Sequence, residues 1–277
     1  MDSKAWILAV DIGNTHITLG AFLAENKSFP PVPLVTWRLS THRHATADEY
    51  GLNILGLASH AGLTLEHLAG VVVASVVPPL DNVFRELSQK HLKNSALFVD
   101  SGLDLGVKIL YDNPHEVGAD RVINALAAWT RLGRDCIVVD FGTATTFDCV
   151  DGTGAYLGGA IAPGPQTASE ALYQKTARLP LLGSFRKPSK AIGKNTQNSI
   201  ASGLFHGYVG LTRGLIKTLS LEMGGTPHVL ATGGLASLLA PSVPEIEAVA
   251  PDLTLEGLWL LWHRRFGEKN NTPPDIS

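Results

Sequence analysis

The run Ile137-Val138-Val139-Asp140-Phe141-Gly142-Thr143-Ala144-Thr145-Thr146-Phe147-Asp148 constrains the fold of this chain more than any other stretch. Three consecutive branched apolar residues predict a strand buried on both faces. Asp140 and Gly142 then interrupt it. Gly142 permits a tight turn with φ > 0, and the chain resumes as a second strand. The Thr hydroxyls and freed backbone N–H groups of such a turn can donate to phosphate oxygens. Asp140 stands at the strand's carboxyl end, where α/β folds place their chemistry.

A second stretch has the same design. Ile7-Leu8-Ala9-Val10-Asp11-Ile12-Gly13-Asn14-Thr15-His16-Ile17-Thr18-Leu19-Gly20 also passes from an apolar strand through Asp, Gly and hydroxyl residues into another strand. One Asp-x-Gly-x-Thr hairpin is a weak signal, because glycine-containing hairpins are common. Two copies about half a chain apart predict two related α/β domains that clamp a nucleotide phosphate chain between their hairpins.

Each copy opens the same order of elements. In the first half the pattern predicts strands over 6–13, 16–23 and 34–39, then a helix over 47–61. A buried strand over 70–77 is closed by Pro78-Pro79, and a helix over 81–91 and a short strand over 96–100 follow. Residues 107–111 read as a last extended piece. A long helix starts near Gly118-Ala119-Asp120-Arg121, with Val122, Ala125, Leu126, Trp129 and Leu132 at helical spacing. Asp120 and Arg121 fall in its first turn, where the helix dipole favours an anion. The residues alone leave two readings. Asp120 is a cap with Arg121 its solvated neighbour, or the pair is a ligand site that the small Gly118 and Ala119 leave open. The dipole and Arg121 both favour an ionised Asp120 at neutral pH.

The second half predicts strands over 136–142, 145–151 and 154–161 and a helix to about 177. Residues 178–193 are basic and irregular, and read as a mobile surface loop, although loops of this length are often functional. A long helix follows, with Asn195 or Thr196 as N-cap. A strand over 228–235 ends in Gly233-Gly234, which marks either a plain turn or a place where a flat ring such as adenine approaches the backbone. A last helix covers 253–266. The expected domains are 1–116 and 117–267, with the last helix able to pack back on the first domain. Residues 268–277 form an expected disordered tail.

Composition narrows the class. The chain has 277 residues, enough for two domains, and a net charge of −3, which gives no reason to expect nucleic-acid or membrane binding. Its two cysteines, Cys136 and Cys149, lie inside predicted strands and read as buried thiols in a reducing compartment. His42-Arg43-His44 reads as a solvated loop rather than a metal pair, because no carboxylate or cysteine cluster accompanies it. The first apolar run breaks too soon for a signal peptide, and none approaches the roughly 20 residues of a membrane helix. A cytoplasmic enzyme is expected.

Taken together these residues resemble the type III pantothenate kinases, of the acetate and sugar kinase/heat-shock-70/actin superfamily. The resemblance runs nearly the full length, in order. It is carried by Asp11-Ile12-Gly13-Asn14-Thr15, Ser75-Val76-Val77-Pro78-Pro79, Gly118-Ala119-Asp120-Arg121, Asp140-Phe141-Gly142-Thr143-Ala144-Thr145-Thr146, Gly193-Lys194-Asn195-Thr196 and Ala231-Thr232-Gly233-Gly234. It implies an α/β fold of two related actin-like (ribonuclease H-like) domains, each a mixed sheet flanked by helices. It also implies ATP-dependent phosphorylation of pantothenate, the first step toward coenzyme A, by a homodimer.

Carried over position by position, Asp11, Ile12, Gly13, Asn14, Thr15, His16, Ile17 and Thr18 would hold ATP phosphates, and Thr143 would contact ATP. Tyr111, Gly118, Ala119, Asp120, Arg121 and Thr196 would line the pantothenate site. Asp120 would be the base, and Asp140 would bind a monovalent cation, K⁺ or NH₄⁺. Thr18 stands where some members have Lys, so the positive charge offered to the phosphates is an open question. Asp11 and Asp140 cannot both present bare carboxylates to ATP, so Mg²⁺ and a monovalent ion are expected. The rival readings are a catalytically weak nucleotide-binding regulator on the same fold, and a phosphatase or another small-molecule kinase. Intact Asp120, Tyr111 and Thr196 argue against the regulator.

Overall fold

The computed structural model describes residues 4–26, 28–99 and 105–267. Strand β1 (Trp6–Ile12) turns back at once into β2 (His16–Leu23), so that Asp11 lies opposite Thr18 and Ile12 opposite Ile17. Strand β3 (Val35–Ser40) extends this meander and sets Arg38 opposite Thr18. Helix α1 (Ala47–His60), entered through a Thr46/Glu49 capping box, leads to β4 (Leu68–Ser75). Helix α2 (Pro78–Lys90) leads to the short β5 (Leu97–Phe98), and β4 and β5 both run parallel to β1, in the order β3-β2-β1-β4-β5.

Strand alternation sends Leu8, Val10, Ile12, Ile17 and Leu19 to one face, against Tyr50, Ile54 and Phe84 of the helices. Full burial of each such side chain is worth about 1.5–3 kcal/mol. Pro78 and Pro79 do more than end a strand. They occupy the first helical positions of α2, where a missing N–H costs nothing.

The second half repeats this plan. Helix α3 (Ala119–Leu132) precedes β6 (Cys136–Phe141), β7 (Ala144–Val150) and β8 (Tyr156–Pro163), an antiparallel meander. Helices α4 (Pro165–Lys175) and α5 (Thr196–Glu222) follow, then β9 (His228–Thr232), α6 (Ala236–Leu239) and β10 (Ala248–Val249). The order β10-β9-β6-β7-β8 matches the first sheet strand for strand. Ile137, Val139, Phe141 and Phe147 pack on Phe205, Tyr208 and Ile216 of α5. The basic stretch 178–193 has no helix or strand, as expected, yet it is anchored. Leu182 is buried, and Phe185 stacks on Phe205 with ring centroids 6.2 Å apart. Cys136 and Cys149 are buried free thiols, and burial pushes the Cys136 thiol up to about 12.

Helix α7 (Leu253–Trp262) ends in a π-helical turn, His263–Gly267, where the pattern had one continuous helix. The compact units are discontinuous in sequence. One comprises Met1–Gly106, Asn113–Ala127 and Thr254–Ser277, the other Val107–Asp112 and Ala128–Leu253. The boundary expected at 116/117 falls inside a segment of the first unit, and Val107–Asp112 belongs to the second. The expected tail, 268–277, lies outside the described residues. Among the described residues no helix is long and apolar enough to cross a membrane.

Candidate functional site

In the first unit the β1–β2 turn is closed by the Gly13 amide, which donates to the His16 carbonyl at 3.0 Å. Asn14, Thr15 and His16 are exposed on it. Ile12 and Ile17, both predicted phosphate contacts, are fully buried core residues, so only their backbone is open to that role. The loop after β3 braces the turn. Thr41 Oγ1 donates to the Gly13 carbonyl at 2.6 Å, and Arg43 Nη2 donates to Asn14 Oδ1 at 2.8 Å. Arg43 is therefore held on the turn, where the sequence had suggested only a solvated loop. Asp11, Thr18 and Arg38 are direct neighbours across β1, β2 and β3 and share one face. Arg38, opposite Thr18, and Arg43, on Asn14, are the two cations nearest this hairpin in strand register and hydrogen bonding.

The start of α3 lies next to this hairpin. The Val76 amide donates to the Ile12 carbonyl at 3.0 Å, and Val76 Cγ1 lies 3.7 Å from where a Cβ on Gly118 would sit. Asp120 Oδ1 accepts from the Arg121 amide at 2.8 Å. Arg121 is only 7% exposed, so the solvated-neighbour reading fails. Asp120 keeps part of its surface open, but desolvation of its carboxyl pushes its pKa above the ordinary carboxylate value. The Arg121 amide and charge pull it back by less. That reverses the sequence expectation that dipole and Arg121 decide the sign. It also moves the group toward the operating pH of a general base.

Gly118 leaves room for this carboxyl, since a Cβ there would come within 2.6 Å of Asp120 Oδ1. Gly118→Ala is expected to swing the carboxyl aside and lower turnover by about tenfold or more. Melting temperature should change little, because the group displaced is a side-chain end. Unchanged turnover in a folded Gly118→Ala sample would contradict this packing role.

In the second unit Asp140 stands one residue before the end of β6 and has Thr146 of β7 and Thr232 of β9 as direct neighbours. Gly233, at φ 88°, is needed here, because a Cβ would lie 2.3 Å from Asp140 Oδ1 and 2.8 Å from the Phe141 amide. Gly142, in contrast, does not use positive φ. A Cβ on it would stand 3.5 Å from Asp140 Oδ1, an ordinary contact. The Thr143 carbonyl accepts from the Gly164 amide at 3.0 Å and from Thr167 Oγ1 at 2.7 Å, which fixes the turn. A row of Thr232, Asp140 and Thr146 offers only oxygen donors and fits a hard cation. Among the described residues no group of three or more His, Cys, Asp or Glu could hold a metal.

Tyr111 also belongs to the second unit, where its segment runs beside β8. Thr196 is the exposed first residue of α5. The N-cap is Asn195, whose side chain accepts from the Asn198 amide at 2.8 Å.

The type III pantothenate kinase family model matches residues 7–218, a span that includes every site residue expected from the sequence. The chain is 44% identical over 262 residues to the type III pantothenate kinase of Koribacter versatilis, covering 93% of this chain and 95% of the relative. It is 46% identical over 258 residues to that of Geobacter sulfurreducens, covering 93% and 98%. The chain belongs to the type III pantothenate kinase family. Its fold is actin-like. A ROK family glucokinase from Streptomyces griseus, solved with glucose and AMPPNP, matches 93% of this chain and 99% of its own, with a TM-score of 0.53 at 12% identity. At that identity the likeness concerns the fold alone.

Two features of this chain were missed from sequence. One is the Arg38/Arg43 pair, which only strand register and loop closure bring to the turn. The other is Asp148, a fully buried carboxylate in β7. A charged residue between Phe147 and Cys149 in an apolar strand was the available signal.

Proposed function

We propose that this chain transfers the γ-phosphoryl group of ATP to the primary hydroxyl of pantothenate, giving 4'-phosphopantothenate on the route to coenzyme A. The observation that carries the reading is the family match over residues 7–218. The expected base, Asp120, stands in the first turn of α3. Asp120 accepts the hydroxyl proton as the phosphoryl group moves. The buried Arg121 guanidinium is placed to pair with the pantothenate carboxylate or with phosphate. The amides and hydroxyls of residues 13–15, with Arg43 beside them, orient phosphate oxygens, and Thr143 is the second unit's candidate contact for ATP. Such transfers depend on positioning and charge neutralisation rather than on covalent chemistry by the protein. Mg²⁺ bound with the nucleotide would neutralise phosphate charge. Asp140 with its Thr neighbours would hold K⁺ or NH₄⁺, and Tyr111 and Thr196 would line the pantothenate site. A homodimer in the cytoplasm completes the reading.

ADP release by the purified chain tests it. Release should require pantothenate, and glucose should not replace it. Tight ATP binding with no acceptor-dependent release would instead favour a regulator. Arg43→Ala is expected to raise the KM for ATP by about tenfold, with Arg43→Lys intermediate, because the lost guanidinium sits on the phosphate turn. An unchanged KM for ATP would remove Arg43 from that role.

A further inference from the structure

Asp148 has no part in the chemistry above, yet it lies fully buried within β7. A carboxylate there is costly unless donors satisfy it. Tyr156 OH donates to Asp148 Oδ1 at 2.9 Å, and Thr146 Oγ1 donates to Oδ2 at 3.0 Å. The position of Tyr156 shows what this bond holds. Tyr156 is fully buried at the start of β8, and its backbone receives the 107–112 segment. The Tyr156 amide donates to the Lys108 carbonyl at 2.8 Å, and the Leu110 amide donates to the Tyr156 carbonyl at 2.8 Å.

Tyr111 follows immediately. Its ring centroid lies 6.3 Å from that of Tyr156, with the planes tilted by 47°. Its ring edge lies 3.4 Å from where a Cβ on Gly158 would sit, and Gly158 has φ 115°. A side chain at 158 would therefore be strained and would crowd the ring. Segment, ring and seat all meet at β8, and the hydroxyl of Tyr156 is tied down by Asp148.

We propose that the Asp148–Tyr156 hydrogen bond is a positioning device for Tyr111, setting the wall that recognises pantothenate. The proposal rests on the assignment of Tyr111 to the pantothenate site. Asp148 and Tyr156 are positioning residues, acting through Tyr111 rather than on the reacting atoms. The bond holds one rotamer of Tyr156, and the Tyr111 ring keeps one orientation against it. Loss of the bond loosens the wall in the ground state and the transition state alike, so the loss appears in KM more than in kcat.

Tyr156→Phe keeps the ring and removes the hydroxyl. Asp148→Asn keeps the shape but puts an amide nitrogen, which cannot accept, opposite one of the two hydroxyls. Each variant is expected to raise the KM for pantothenate about tenfold. In Tyr156→Phe, which leaves the Thr146 bond intact, kcat and the KM for ATP should stay within about twofold of the parent. The double variant should lose less than the two single losses combined, because both changes weaken the Asp148–Tyr156 bond. If Asp148→Asn does not fold, Tyr156→Phe carries the test alone. Tyr111→Ala, measured in parallel, separates the two layers. A raised pantothenate KM in Tyr111→Ala with an unchanged one in Tyr156→Phe overturns the positioning role and leaves the site assignment standing. No effect in Tyr111→Ala overturns the assignment, and the proposal with it. A lower melting temperature in Tyr156→Phe with parental kinetic constants likewise overturns it, leaving the bond a stability element only.

Discussion

Asp120→Asn is expected to lower kcat by roughly 10²-fold or more, the usual contribution of a general base. The amide keeps the shape of the carboxyl and an oxygen able to accept from the Arg121 amide, so the fold should survive. The pH dependence gives a second signature. In the parent, kcat falls as pH falls through the Asp120 pKa. Desolvation places that acid limb above the ordinary carboxylate value of 3.8. The variant should lack the limb.

Stability has a definite sign as well. The folded chain holds this proton more tightly than the unfolded chain does. The cost of ionising the carboxyl therefore appears as pH rises from the ordinary value through the raised one. At neutral pH Asp120→Asn removes that cost, and its melting temperature should equal or exceed the parent's. A capping role, which the amide oxygen would keep, predicts nearly normal turnover with an unchanged melting temperature.

The second large effect concerns Asp140. Its carboxylate is packed against Gly233 and flanked by Thr146 and Thr232, so Asp140→Asn can keep the geometry while removing the charge. Turnover is expected to drop by about 10²-fold, the scale of losing one preorganised electrostatic group. In the parent, replacing K⁺ by Na⁺ or Li⁺ should lower the rate sharply, because the larger ion gives up its water more readily. In the variant the three salts should give similar low rates. Equal rates in all three salts for the parent would take the cation role away from Asp140.

These expectations draw unevenly on sequence and structure. The buried strands were legible because β-branched runs such as Ile137 to Val139 have few other uses. The two hairpins were legible because Asp, Gly and Thr interrupt those runs in the same way, and both sheets then follow one strand order. Other features arise only when distant segments meet. Pro78 and Pro79 punctuate a sequence equally well as a strand end or a helix start. Val107–Asp112 is too short to show a period, and its place in the second unit depends on Tyr156. The first-turn location of Asp120 was visible, but its raised pKa was not, because its burial exists only in the folded chain. Arg43 and Asp148 looked like a loop residue and a strand residue. Their roles come from Asn14 and Tyr156, 29 and 8 positions away.

The most direct test is the mass of the acceptor after purified protein is incubated with ATP, Mg²⁺, K⁺ and pantothenate. Pantothenate is predicted to gain one phosphoryl group, in amounts that match the ADP formed, with Asp120→Asn giving far less under the same conditions. Unmodified pantothenate in the presence of folded, ATP-binding protein would contradict the assignment of this chain as the kinase.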